Sequence, residues 1–218
     1  ALRIGSTLVA LGPEAKAAVP VLLGRLRVCA DANSSVTMAS WIADLGGDPI
    51  PTLLEALQGD DVQIFRAAGH TLRSRKADPS LLVPILRKAL ASQVPQMSPY
   101  AALALGALGP AAAEASGELI EALSSKDDGL RRCAARALAQ IGPGDGAGTD
   151  ELLRILEDDL PDLRWYAAVA LLRGGAKGVE AMRALEEAFS RTKEMDRRVF
   201  LHCVAEAGSG VPELLPLF

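Results

Sequence analysis

Two histidines, three cysteines and a scatter of arginines and carboxylates are the residues of this chain whose types could do chemistry. His70 and His202 stand far apart, neither is followed by Glu, and each reads as a surface residue and not as a metal ligand. Cys29, Cys133 and Cys203 cannot all pair with one another and show no Cys-x-x-Cys or Cys/His ligand spacing, which argues against a disulfide framework and a zinc site alike. Ser209, in Ala207-Gly208-Ser209-Gly210, falls short of a Gly-x-Ser-x-Gly elbow, with Ala207 and Val211 where that pattern needs glycine, and sits where a helix ends, so it reads as cap and linker. The glycines from Gly142 to Gly148 follow no strand and precede no Gly-Lys-Ser/Thr, so they read as a turn and not as a phosphate cradle. No catalytic constellation, cofactor motif or metal-ligand set emerges, and the chain reads as noncatalytic.

What remains is a pattern of arginines, and its meaning depends on the elements that carry it. The 218 residues are 50% apolar and 23% charged, which is ample for a folded core and excludes disorder as the main state. Aromatics are 4%, while 20 Gly and 13 Pro cut the chain into short elements, a composition for many short helices. The formal charge of −4 argues against wholesale coating of nucleic acid. No apolar run approaches the ~18 residues of a membrane span. Unpaired thiols favour the cytoplasm.

The phrases TLVALG, WIADLG, LALGALG, ALAQIG, ALLRGG and CVAEAG stack on one apolar position: Leu8, Ile42, Leu72, Leu105, Leu138, Leu171 and Val204, with steps of 34, 30, 33, 33, 33 and 33. A second series upstream, Leu26, Leu57, Leu90, Leu123, Leu156 and Phe189, steps by 31, 33, 33, 33 and 33. Each period predicts two helices. Helix A carries apolar residues at helical spacing, with Pro20, Pro51 and Pro84 expected in its first turn. Helix B follows a short polar turn and is expected to end at Gly12, Gly46, Gly109, Gly142, Gly175 or Gly208. One helix pair cannot bury both of its apolar faces, so the units must stack.

The segments DDGLRRCAARALAQIGP (127–143), PDLRWYAAVALLRGG (161–175) and MDRRVFLHCVAEAG (195–208) make the chain resemble the HEAT-repeat family, in particular its short phycobilisome-lyase-like variety. The resemblance implies an all-α fold: a right-handed α-solenoid of about six to seven two-helix repeats of ~33 residues, forming a single domain over 1–218. It also implies a ladder in which an arginine early in helix B is held by a carboxylate near the turn. Arg131, Arg164 and Arg197 occupy that place, with Asp127, Asp128, Asp158, Asp159, Asp162 and Glu194 as carboxylate candidates. Ser35, Phe65 and Ser98 stand there in earlier units. The family's iron hydroxylase, deoxyhypusine hydroxylase, needs His-Glu pairs that are absent. A bilin-lyase subunit and a HEAT-like DNA glycosylase are the alternative functions that the resemblance carries. The acidic net charge weighs against the glycosylase.

In such a stack the B helices line the concave side. With Leu138 as the buried reference, Arg132, Arg136 and Gln140 form an outward ridge, and the same offsets select Val36, Ser40 and Asp44; Arg66, His70 and Ser74; Pro99, Leu103 and Ala107; Trp165, Val169 and Arg173; and Arg198, His202 and Glu206. The ridge is mostly basic. An exposed Trp165 among guanidinium groups, beside an outward Val169, would anchor a protein or peptide partner that is acidic with apolar anchors. Trp41 reads as core filling. The apolar phrases at both ends, including Leu214, Leu215, Leu217 and Phe218, do not read as caps. They predict further flanking repeats, another domain, or self-association.

Overall fold

The structure is a computed structural model that describes residues 15, 17–28, 32–45, 53–54, 56–94, 96–143, 148–156 and 160–174. Among these residues there are nine α-helices: α1 (Val19–Arg27), α2 (Ala32–Leu45), α3 (Val62–Ser74), α4 (Pro79–Leu90), α5 (Met97–Ala107), α6 (Ser116–Ala122), α7 (Asp128–Ile141), α8 (Thr149–Ile155) and α9 (Pro161–Arg173). A 3-10 segment, Gly109–Ala115, leads into α6, and residues 53–54 and 56–57 are also helical. No strand occurs among the described residues. Helices A and B alternate as the period requires. A comprises α1, the turn around 53–57, α4, α6 and α8; B comprises α2, α3, α5, α7 and α9. This is an all-α repeat fold of the α-solenoid class.

The register positions carry the core. Ile42, Leu72, Leu105, Leu138 and Leu171, one per B helix, are 1%, 0%, 0%, 0% and 5% exposed. Leu26, Leu57, Leu90 and Leu123 of the A series are buried too, and Leu156 at the end of α8 is half-buried. Leu8, Val204 and Phe189 lie outside the described residues, as do both apolar ends of the chain. The step of 30 has a definite origin: Ile42 to Leu57 is 15 residues, whereas Leu72 to Leu90, Leu105 to Leu123 and Leu138 to Leu156 are each 18. The shortening therefore falls in the connection after α2, and the helices keep their phase.

The chain forms two compact units, Ala1–Ser98 and Pro99–Phe218. In the first, α2 packs against α1 and α3, and α1 also reaches α3. In the second, α7 is the hub: it packs against α6, the 3-10 segment and α9, while α8 packs against α9.

Local sequence explains the helix ends. Asp61 caps α3 by accepting from the Gln63 and Ile64 amides at 3.0 and 3.1 Å, and Asp127 caps α7 by accepting from those of Gly129 and Leu130 at 2.8 and 3.3 Å. Asp78 caps α4 through the Ser80 amide, which holds its carboxyl below the ordinary carboxylate range. Gly142, at φ 89°, ends α7 in a conformation that a side chain resists. Two expectations need correction. Pro79, not Pro84, occupies the first turn of α4; Pro84 lies inside the helix, where it lacks the amide of an i→i−4 bond. In α9 the C-cap is Gly174, one residue before the expected glycine. Pro20 does sit in the first turn of α1, and Pro51 is outside the described residues.

Alanine makes the close packing of α7 and α9 feasible. Ala134, Ala135, Ala137, Ala139, Ala167, Ala168 and Ala170 are all 0% exposed. The approach is tightest at Gly106 of α5, where a Cβ would stand 2.8 Å from the Ala137 Cα and 2.6 Å from Gln140 Oε1. Overpacking of this kind costs about 1–3 kcal/mol, and the better helix propensity of alanine recovers at most about 1 kcal/mol. Gly106→Ala is therefore expected to lower unfolding stability by about 1–2 kcal/mol in a denaturant titration. Gly117→Ala on α6, with nothing within 4 Å of the new Cβ, should instead raise stability by about 0.4–1 kcal/mol.

Candidate functional site

The outward ridge of the B helices is the candidate surface, and the structure divides its predicted members into three groups. On α3, His70 is exposed and Arg66 half-buried, with the Arg66 guanidinium donating to Gln63 Oε1 at 2.8 Å. Ser74 donates to the His70 carbonyl at 3.0 Å, and its hydroxyl lies 3.5 Å from His70 Nδ1. On α7, Arg132 is exposed and Arg136 half-buried. Arg132 Nε stands 3.2 Å from Asp162 Oδ2 at the start of α9, so this ridge arginine also ties one B helix to the next. At these exposures an ion pair contributes about 0–1 kcal/mol. Arg198 and His202 lie outside the described residues.

Trp165 and Val169 correct the expectation. Both are 0% exposed and belong to the core, so neither presents an apolar anchor. The offset rule assumed that each B helix shows one polar face, as α7 does. From Trp165 to Leu172, however, α9 carries eight consecutive uncharged residues, and a helix apolar all round is an interior helix. That run is the signal the ridge offsets overlooked.

Arg173 reaches the ridge position but is engaged elsewhere. Its Nη1 donates at 2.8 Å to the Ala139 carbonyl, one of the last four of α7, which have no partner within their own helix. The guanidinium therefore completes the C-terminus of the preceding B helix and meets its negative dipole end. Arg75 does a related job in the first unit, donating to Ser40 Oγ at 3.0 Å and pairing with Asp44 at 2.5 Å, both on α2. Sequence spacing gave no sign of these clasps, because they depend on where the preceding helix ends.

The expected ladder has its own geometry. Arg131 donates to Asp128 Oδ1 at 2.8 Å, within one helix turn, whereas Asp127 is spent on capping. Asp162 serves Arg132. Arg164 is half-buried, and its Nε has no hydrogen-bond partner among the described residues. Asp158, Asp159, Glu194 and Arg197 lie outside the described residues. The equivalent positions Ser35, Phe65 and Ser98 are 1%, 1% and 8% exposed, so the place itself faces inward.

Between α6 and α8, Ser124 donates to Glu151 Oε1 at 2.7 Å and accepts from Arg154 at 3.2 Å, and Arg154 also pairs with Glu151. Burial raises the Glu151 carboxyl, but the bonds from Ser124 and Arg154 together outweigh it and leave the group below its ordinary range. This cluster links two A helices. Half-buried Cys133 has its thiol pushed up by burial, against the pull of Arg136, and stays protonated at neutral pH. No group of three or more His, Cys, Asp or Glu that could hold a metal ion occurs among the described residues. None of the described helices is long and apolar enough to cross a membrane.

Residues 83–173 match the family model of HEAT repeats. No curated protein sequence matches the chain. Among solved structures, one engineered protein aligns over 88% of this chain and 97% of its own at 20% identity, with a TM-score of 0.58. A second engineered protein aligns over 90% of this chain and 61% of its own, also at 20% identity, with a TM-score of 0.56. At that identity the likeness is one of fold.

Two measurements check these assignments. Trp165→Ala should cost about 3–5 kcal/mol of stability in chemical denaturation, as a fully buried large side chain does, whereas a surface tryptophan would cost little. Burial, and after it the charge of Arg73, lower the pKa of His70 from its usual 6.5, so folding favours the neutral ring. That contribution is present above 6.5 and is lost as pH falls through the depressed value. The NMR titration of His70, assigned with His70→Gln, should have its midpoint below 6.5, and Arg73→Gln should move it up.

Proposed function

We propose that this chain, whose residues 83–173 are HEAT repeats, is a noncatalytic scaffold that holds a segment of a partner protein along the outward ridge of its B helices. One observation carries the reading. Arg66 and His70 on α3, in the first unit, and Arg132 and Arg136 on α7, in the second, repeat the same two offsets from a buried leucine, so each of these B helices carries arginine at an outward offset while the intervening positions build the core. Such a polar face on a B helix can hold a segment of a partner. Its attraction is electrostatic and favours acidic partners. With Trp165 and Val169 in the core, the apolar part of the contact falls to residues such as the half-buried Leu103.

Capture of partners by the intact parent chain, compared with an Arg132→Gln/Arg136→Gln variant, tests the reading. The variant should keep its unfolding midpoint within a few degrees and weaken partner binding by about tenfold, equivalent to about 1.4 kcal/mol. Unchanged affinity for every captured partner would remove the α7 part of the ridge as the binding surface.

A further inference from the structure

We propose that the basic stripe running from Arg66 along α3 to Lys76, just past its C-terminal end, is the docking place for a short acidic segment of a partner protein. This rests on the scaffold reading and names one repeat and one ligand chemistry within it. Residues 62–77 contain Arg66, Arg73, Arg75 and Lys76 and no acidic residue, in a chain whose net charge is −4. Arg66, His70 and Arg73 follow at intervals of four and three, which places them on one helix face. His70, Arg73, Ser74, Arg75 and Lys76 are all exposed. The stripe is also held in place: Gln63 directs the Arg66 guanidinium, and Arg75 fastens the end of α3 to Ser40 and Asp44 of α2.

Its dimensions select the ligand. Seven residues of helix span roughly 10 Å, room for two or three carboxylates about 5–6 Å apart. Carboxylates bound the stripe: Asp60 and Asp61 at one end, Asp78 beyond Lys76 at the other, and Asp44 on α2. A phosphate backbone running past either end would meet repulsion, whereas a short acidic segment fits within it. The stripe offers no Phe, Tyr or Trp ring for base stacking, because Phe65 is 1% exposed.

The test uses the whole 218-residue chain and three labelled probes: a peptide of about 12 residues of Glu and Ala, its Gln counterpart, and an oligothymidylate of about the same length. Fluorescence anisotropy at low salt should show binding of the Glu peptide and none of the Gln peptide. Arg66→Gln/Arg73→Gln should weaken the Glu peptide at least tenfold. If the half-buried Arg66 proves necessary for folding, Arg73→Gln/Lys76→Gln, a pair of exposed residues, should weaken it several-fold. Equal binding by wild type and both variants would overturn the proposal, and so would tighter binding of the oligothymidylate. A natural partner that depends on Arg132 and Arg136 but not on Arg66 and Arg73 would remove the α3 stripe and leave the scaffold standing. A partner that depends on neither pair would remove both.

Discussion

Burial of one aliphatic side chain per helix against the next helix is the constraint on which the rest of this structure depends. A leucine or isoleucine in each B helix can reach full burial only if a neighbouring helix comes close, and small side chains permit that approach. In α7 and α9, seven alanines are wholly enclosed, and Gly106 admits α5 to the backbone of α7. Three of the hydroxyls trapped as a result find carbonyl partners nearby. Thr71 donates to the Ala67 carbonyl at 2.8 Å, Ser98 to that of Ser92 at 3.0 Å and Ser116 to that of Gly142 at 3.4 Å.

Charged side chains act as fasteners around this packing and contribute less to its energy. Arg173 and Arg75 close the C-terminal ends of B helices onto their predecessors, Arg132 reaches the next helix through Asp162, and Arg154, Ser124 and Glu151 join two A helices. Each link is partly wet, so its Coulombic worth is modest. Their contribution is directional, since a guanidinium held between two helices resists sliding of one past the other.

The repeat was legible from sequence because period, helix ends and buried leucines all derive from local pattern. The N-caps Asp61 and Asp127 and the stop at Gly142 obey short-range rules of the same kind. What escaped was decided by neighbours. Trp165 and Val169 share offsets with the exposed Arg132 and the half-buried Arg136, yet the surroundings of α9 enclose them. Likewise, nothing in the spacing of Arg173 says that its guanidinium meets the Ala139 carbonyl. The inward ladder place accepts Ser35, Phe65, Ser98 or an arginine stem, so residue type alone gave it no single meaning.

The 33-residue step also governs how such a chain can change length over evolutionary time. Adding or deleting a whole unit returns every leucine to its buried place, because in a solenoid each repeat meets only its neighbouring repeats. A one-residue insertion within a helix would instead turn everything after it by about 100° and carry the buried face into water. The connection after α2 shows that a difference in length can be accommodated: three residues fewer separate Ile42 and Leu57 than in the later units, with Leu57 and Leu72 still enclosed. The difference in length thus falls between helices and leaves their buried faces in phase.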